Sequence, residues 1–249
     1  MYEQVFNFNS RPFTTSPYVK HYYPASAIHQ ALGQTKICID RASGPVVAIG
    51  GVGTGKSLFL AMLESQYSET FWAINLACSR LQSRKELLQN ILFQMGQPVQ
   101  GGEEAELRLQ ILDKLRPSDE CPNGMLLLVD DVDGVDVDIL DEMRLLMNFV
   151  VEGVPRVRLV LAGQRKLEDL LTEPSLASFS QRIASRVFLE NLGRDDTGGY
   201  VVEHVNRVGG NGPQLFPFET QDVIQRLTDG CPRQINQVCD FALILAGTR

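Results

Sequence analysis

Val46-Val47-Ala48-Ile49-Gly50-Gly51-Val52-Gly53-Thr54-Gly55-Lys56-Ser57 is the stretch on which the reading of this 249-residue chain turns. A short apolar, β-branched run ends in glycines and passes into a helical pattern, Leu58-Phe59-Leu60-Ala61-Met62-Leu63. Gly50, Gly55, Lys56 and Ser57 fit the spacing G-x-x-x-x-G-K-[ST] of a phosphate-binding loop. Glycines let successive main-chain N–H groups converge on phosphate oxygens with no side chain in the way. The start of the following helix adds unsatisfied N–H groups and the positive end of its dipole. In this pattern the lysine reaches the β- and γ-phosphates and the serine hydroxyl ligates Mg²⁺. Gly50, Gly51, Val52, Gly53, Thr54, Gly55, Lys56 and Ser57 are therefore assigned to a nucleoside triphosphate, with Ser57 also on the metal. A dinucleotide fingerprint G-x-G-x-x-G fails, because it would need glycine where Lys56 stands.

Upstream, residues 1 to 45 are rich in aromatics and prolines (Phe6, Phe8, Pro12-Phe13, Tyr18, Tyr22-Tyr23-Pro24), with a helix expected from about Ala25 to Ile39. Part of this lead segment is a candidate wall for an adenine pocket, since it immediately precedes the nucleotide strand; packing onto the core is the plainer alternative. Downstream, a strand is expected at Thr70–Asn75, a helix at Ser83–Met95, a break through Gly96-Gln97-Pro98 and Gly101-Gly102, and a helix from Glu103 to Leu115. Met125–Asp131 is a continuous apolar run ending in acids, as a strand buried on both faces reads. Asp136–Val150 carries an apolar stripe at helical spacing. Val157–Ala162 is a second buried strand, followed by helices near Lys166–Leu171 and Ser178–Ile183 and a short strand, Arg186–Leu189. Beyond about Asn191 only helices are expected, at Asp195–Val208, Glu219–Thr228 and Pro232–Leu245, with a loop at Gly209–Pro213. Strands alternating with helices give an α/β fold with a parallel sheet covered on both faces. The expected organisation is a lead segment and helix (1–45), a nucleotide-binding α/β domain (46–190) and a small helical lid (191–249).

The charge of −7 speaks against a generally nucleic-acid-binding surface. It is unevenly spread. Glu103 to Glu152 holds fourteen acids and four bases, a net of −10, leaving +3 for the rest. Arg156 to Arg186 holds six bases against three acids, which reads as a mixed solvated surface or a local basic face. The five cysteines form no C-x-x-C pair and read as buried reduced thiols. Without a signal-like start or an apolar run long enough to span a bilayer, a cytoplasmic chain is expected.

In a parallel sheet the carboxyl ends of the strands share one edge, where ligands bind. Asp130, Asp131 and Gln164 are thereby expected on the edge that carries the phosphate loop. Asp130, closing its strand, suits Mg²⁺, and Asp131 suits the attacking water. Asp133, Asp136 and Asp138 are expected to cap the helix after them and complement its dipole. Arg233 follows Gly230-Cys231-Pro232 at a helix start, where a cation is unfavourable unless an anion lies close by.

The chain resembles the AAA+ ATPases of the general secretion pathway protein A (ExeA-type) group, which are related to transposition ATPases of the TniB and MuB kind. The residues that carry this are Pro12-Phe13, Tyr22-Tyr23-Pro24, the Gly50–Ser57 loop, Leu127–Asp131, Leu140–Asn148, Val160–Gln164, Ser180–Ile183 and Gly230–Asn236. The resemblance implies a sheet ordered 5-1-4-3-2 with a helical lid, Gln164 as sensor 1, Arg182 as arginine finger and Arg233 as sensor 2. Arg186 is a second candidate finger. It further implies ATP and ADP as ligands with Mg²⁺, a homo-oligomer, a secretion-machinery partner and a place at the inner face of the membrane. One departure stands out: the group usually ends this strand in Asp-Glu, whereas this chain has Asp130-Asp131, which points to slow hydrolysis. The expected function is an ATPase coupled to assembly or remodelling of an envelope complex. The alternative is an ATP-gated DNA-binding module of the transposition type. A small-molecule kinase ranks third, for want of an acceptor site.

Overall fold

The computed structural model describes residues 2–16, 18–77, 81–98, 102–118 and 122–248. Five strands form one sheet: β1 (Val46–Gly50), β2 (Trp72–Ala77), β3 (Met125–Asp130), β4 (Val157–Gly163) and β5 (Ser185–Leu189). Their spatial order is β2-β3-β4-β1-β5, the expected 5-1-4-3-2 read from the other edge. The pairs β1–β4, β2–β3 and β3–β4 are parallel, with Val46 opposite Val160, Trp72 opposite Met125 and Met125 opposite Val157. β1 and β4 are buried along their whole length and β3 to its last residue but one, which is why they read as unbroken apolar runs. On the edge strand β2, the Gln94 side chain supplies what a further strand would. Its Oε1 accepts from the Asn75 N–H at 3.1 Å and its Nε2 donates to the Asn75 carbonyl at 2.8 Å.

The helices are α1 (Tyr2–Val5), α2 (Ser26–Asp40), α3 (Lys56–Tyr67), α4 (Arg84–Gln94), α5 (Glu104–Lys114), α6 (Val137–Met147), α7 (Arg165–Leu171), α8 (Ala177–Ser180), α9 (Arg194–Arg207), α10 (Gly212–Leu215), α11 (Phe218–Thr228) and α12 (Pro232–Gly247). Three expectations need correction. The α6 helix stops at Met147, because Val150–Val151 pairs with Val154–Pro155 in a small antiparallel hairpin. That hairpin turns at Glu152 and Gly153, both at positive φ, as a tight two-residue connection requires. The loop at Gly209–Pro213 gives way to α10, whose first turn is capped by the Asn211 side chain accepting from the Gln214 N–H at 3.2 Å. The α8 helix is one turn, ending at Ser180 rather than Ile183. Of the cysteines, Cys231 and Cys239 are buried and Cys38 is half-buried, all free thiols; Cys78 and Cys121, like Gly101, lie outside the described residues.

The chain divides into two compact units. One comprises Ala31–Gly50 and Phe59–Phe188, the other Met1–Gln30, Gly51–Leu58 and Leu189–Arg249. The first is built on the sheet, with α4, α5 and α6 packing Ile91, Leu107 and Met143 against strand residues such as Ile74 and Leu127. Its basic stretch is partly inside, contrary to the surface reading of Arg156–Arg186. Arg156 donates to the carbonyls of Leu115 (2.7 Å) and Pro122 (2.8 Å), and Arg158 to those of Ile39 (3.0 Å) and Pro155 (2.5 Å). Leu115 is the C-cap residue of α5 and Ile39 lies in the last turn of α2, so each guanidinium supplies a donor at a helix C-terminus, Arg158 joining the Ala42 N–H on the Ile39 carbonyl. Burial, and then the charge of Arg156, lower the Arg158 pKa from its usual value. Glu142 lies on the buried face of α6, fully enclosed, and takes both Arg108 nitrogens at 2.7 and 2.6 Å.

The second unit has its own core of Phe13, Val201, Val205, Phe216, Ile235 and Cys239. The Asp240 carboxylate, almost buried on α12, accepts from the Tyr2 hydroxyl at 2.6 Å and pairs with Arg11, fastening the first eleven residues to the last helix. His204 of α9 sits 4.0 Å from the Tyr200 ring and stacks on Phe13 at 5.9 Å. Its Nδ1 lies 2.8 Å from the Tyr200 carbonyl, to which a neutral ring donates, while Nε2 is buried without a partner. Burial pushes its pKa down to about 4.

Two expectations about stability follow from these groups. Arg108→Ala strands the enclosed Glu142 carboxylate and is expected to lose about 3 kcal/mol in urea unfolding; Arg108→Met with Glu142→Leu together is expected to recover most of it. For His204 the unfolded ring binds a proton below its ordinary pKa of ~6.5, whereas the folded ring resists until about 4. Stability is therefore full above ~6.5 and is lost as pH falls through that window, by up to roughly 3 kcal/mol. His204→Phe is expected to flatten the melting temperature between pH 6.5 and 4, measured calorimetrically.

Candidate functional site

Gly50 is the last residue of β1, and Ile49 beside it stands opposite Gly163 on β4. The chain then enters the glycine loop. Gly53 and Gly55 have φ of +84° and +102°, values that a residue with a Cβ rarely adopts. The Gly51 carbonyl accepts from Thr54 Oγ1 at 3.0 Å and from Lys56 Nζ at 2.9 Å, so the lysine head folds back on its own loop. Lys56 is only 8% exposed, unusual for a lysine, and opens α3 together with Ser57.

The turn before α12 seats on this loop. Asp229 and Gly230 take positive φ, ending α11, and Pro232 starts α12. The Arg233 N–H donates to the Gly53 carbonyl at 3.3 Å, and Cys231 Sγ lies 3.5 Å from the Val52 carbonyl. A Cβ on Gly53 would stand 2.8 Å from the Arg233 Cβ and 2.9 Å from Cys231 Sγ, so glycine is required there by packing as well as by φ. The Arg233 side chain is exposed at the second residue of α12. Beside the loop opens a largely apolar cleft, walled by Tyr23, Ile28, Thr54, Leu58, Leu192 and Tyr200. The Tyr23 and Tyr200 rings meet edge to face at 5.8 Å, and the Tyr23 hydroxyl fills the space that a side chain at Gly199 would take. At the rim, Asp196 accepts from the Ser26 N–H at 3.2 Å, at the start of α2. Of the aromatic lead segment and the helix after it, Tyr23 and Ile28 line this cleft. Leu192, Asp196 and Tyr200 were missed by sequence reasoning, although glycines at 198 and 199 inside a helical pattern are a sign of close approach.

Within the sheet unit, Asp130 closes β3, half-buried, opposite Ala77 of β2. Asp131 follows in a left-handed conformation, φ 54° and ψ 50°, with its side chain exposed and its N–H on the Asp130 carboxylate at 3.0 Å. Asp133 lies in a 3₁₀ turn, Val132–Gly134, and here the capping expectation fails: its carboxylate accepts the main-chain N–H of Gln164 at 2.6 Å. Asp136 stands at the N-cap of α6 without a side-chain cap bond, and Asp138 pairs with Arg84 at 3.0 Å. Gln164 is the N-cap residue of α7. Arg182 is exposed and donates to Asn148 Oδ1 at 2.5 Å, while Arg186 points outward from β5 beside the exposed Phe188. Among the described residues no three or more His, Cys, Asp or Glu side chains gather to hold a metal ion. The Asp130 carboxylate and the Ser57 hydroxyl are both oxygen donors of the kind that suits magnesium, an ion that keeps several waters and phosphate oxygens.

A parallel sheet in this order, a glycine loop leading from β1 into a helix that begins Lys-Ser, and an acid closing β3 define a P-loop nucleoside triphosphatase fold of the AAA+ type. A family model described as AAA domain matches residues 39–171, and the chain belongs to that family. The chain is 30% identical over 251 residues to General secretion pathway protein A of Aeromonas hydrophila. That match takes in all of this chain and 45% of the relative, so the chain spans less than half the relative's length. The fold is shared with the ORC2 protein of Aeropyrum pernix, solved in ADPNP-ADP complexes: TM-score 0.71, 16% identity, 88% of this chain and 63% of that one. It is likewise shared with CDC6P from Pyrobaculum aerophilum: TM-score 0.74, 19% identity, 94% of this chain and 66% of that one. The resemblance and the fold class read from the sequence are thereby borne out. No described helix is long and apolar enough to cross a membrane.

The loop geometry separates two neighbouring glycines. Gly53→Ala, strained in φ and crowded by Arg233 and Cys231, is expected to cost about 1–2 kcal/mol in thermal unfolding. Gly51→Ala, whose added methyl would meet only Thr54 Cγ2 at an ordinary 3.5 Å, is expected to fold as stably as the parent.

Proposed function

We propose that this chain binds ATP with Mg²⁺ and hydrolyses it slowly, coupling turnover to assembly or remodelling of a secretion or cell-envelope complex. The observation that carries the reading is the loop itself: left-handed Gly53 and Gly55 running into Lys56 and Ser57 at the head of α3. Such a main chain offers N–H groups where a side chain would block them. The Lys56 ammonium exchanges the Gly51 carbonyl for phosphate oxygens, a charge-assisted and stronger bond. Ser57 and Asp130 are the proposed Mg²⁺ ligands, the ion offsetting phosphate charge when bound. The apolar cleft takes the adenine, with Tyr23, Ile28 and Tyr200 as its walls. Residues 191–249 act as the lid on the 46–190 nucleotide domain, with 1–45 leading into it.

Asp131 holds the attacking water, and Gln164 and Arg233 report and stabilise the γ-phosphate. With a carboxylate one methylene short of the usual glutamate, Asp131 stands about 1 Å from its best position, a misplacement that can cost on the order of 10²-fold in rate. Arg182 acts in trans, released from Asn148, to stabilise charge on the nucleotide of a neighbouring copy, so the active species is a homo-oligomer. Arg186 is its second candidate. The secretion or envelope partner, and a working place at the inner face of the membrane, rest on the similarity to General secretion pathway protein A.

Lys56→Ala is expected to abolish saturable binding of a fluorescent ATP analogue; equal binding in both proteins contradicts the reading. Phosphate release is expected to speed several-fold in Asp131→Glu and to fall further in Asp131→Asn, with affinity little changed. Specific activity is expected to drop on dilution, as a shared site requires. Turnover stimulated by DNA would favour the transposition-type alternative.

A further inference from the structure

We infer that Asp133 is a positioning residue for this hydrolysis, holding Gln164 in place from the turn that follows the strand carrying Asp130 and Asp131; the inference rests on the function proposed above. The β3–β4 ladder runs in register from Met125 and Val157 to Val129 and Leu161 and goes no further. Beyond it the two chains separate, at the edge where the ligand-facing residues lie. The Gln164 N–H there has lost its strand partner and belongs to the N-cap of α7, whose own side chain makes no cap bond. Asp133 supplies the missing acceptor at 2.6 Å. A carboxylate bound to a main-chain N–H is short, strong and directional.

Gly163 is shaped by the same contact. A Cβ there would stand 3.0 Å from the Asp133 Oδ1 and 2.9 Å from Leu167 Cδ2, so a side chain at this position crowds both the carboxylate and Leu167. The 3₁₀ turn after Asp131 and the Gly163-Gln164 corner are thus built around one oxygen. Asp131 and Gln164, the proposed water-holding and γ-phosphate-reporting residues, are set in register through it. A helix-capping role does not account for the contact, since α6 begins at Val137 with Asp136 before it. In the function proposed above, residues 50–57 and the adenine cleft carry most of the nucleotide affinity, and this bond holds neither.

Three variants of the full chain test the inference: Asp133→Ala, which removes the acceptor, Asp133→Asn, whose side-chain carbonyl restores it, and Gly163→Ala, which crowds it. For Asp133→Ala and Gly163→Ala we expect kcat to fall about 10- to 100-fold with KM and the dissociation constant of MgATP unchanged, and the Gln164 amide to exchange hydrogen faster. Asp133→Asn is expected to regain most of kcat and the amide protection. Should Asp133→Ala not fold, the other two carry the same readouts. Wild-type kcat in a folded Asp133→Ala or Gly163→Ala, or Asp133→Asn no better than alanine, overturns the inference. So does a Gln164 amide whose exchange is indifferent to all three. That exchange is read without nucleotide, so it still decides whether Asp133 holds Gln164 if the parent proves not to turn over ATP.

Discussion

A main chain that is to meet phosphate with its own N–H groups cannot carry side chains at the point of contact, and this constraint governs the neighbourhood of residues 50–57. It forces glycine at 53 and 55, where φ is +84° and +102°. It draws Lys56 and Thr54 inward onto the Gly51 carbonyl, so that two side chains brace a loop that has no ladder to hold it. It also fixes what lies against the loop. The Cys231-Pro232-Arg233 turn, with left-handed Asp229 and Gly230 before it, approaches Gly53 so closely that no side chain fits between them.

The sheet unit meets a different demand. Strands buried on both faces leave helix ends and polar groups without water, and this chain answers with charged side chains placed inside. Arg156 and Arg158 serve the C-termini of α5 and α2, and Arg108 answers Glu142 in full. Replacing an internal pair by apolar residues often leaves stability unchanged or raises it, so what such groups bring is a single arrangement of the elements that carry them. At the carboxyl end of the same sheet, Asp133 likewise gives a main-chain group beyond the ladder, the Gln164 N–H, a side-chain partner.

Much of this was legible in the sequence because the signals were periodic or bound to one geometry. Val46–Gly50, Met125–Asp130 and Val157–Gly163 could hardly be read as anything but buried strands, and the loop pattern placed the first of them before a helix. The strand order, by contrast, came from resemblance, since no local pattern states which strand lies beside which. What escaped was tertiary in origin. The Val150–Pro155 hairpin continues an apolar stripe that a helix fits equally well, and only the left-handed pair Glu152-Gly153 breaks it. Nothing local marks Glu142 as enclosed, since the Arg108 that pairs with it comes from another helix. Asp133 looked like a helix cap because its true partner, an N–H thirty-one residues away, has no side-chain signature at all. The cleft residues Leu192, Asp196 and Tyr200 come together with Tyr23 and Ile28 only through folding.

Calorimetric titration of the wild-type chain with ATP, with and without Mg²⁺, tests the central claim most directly. The account requires one saturable site per chain that needs the metal for full affinity and that ADP competes for. It also requires the melting temperature to climb with ligand concentration, as binding to the folded state alone dictates. A flat titration at millimolar nucleotide, with a melting temperature that ATP and Mg²⁺ leave unmoved, would contradict it.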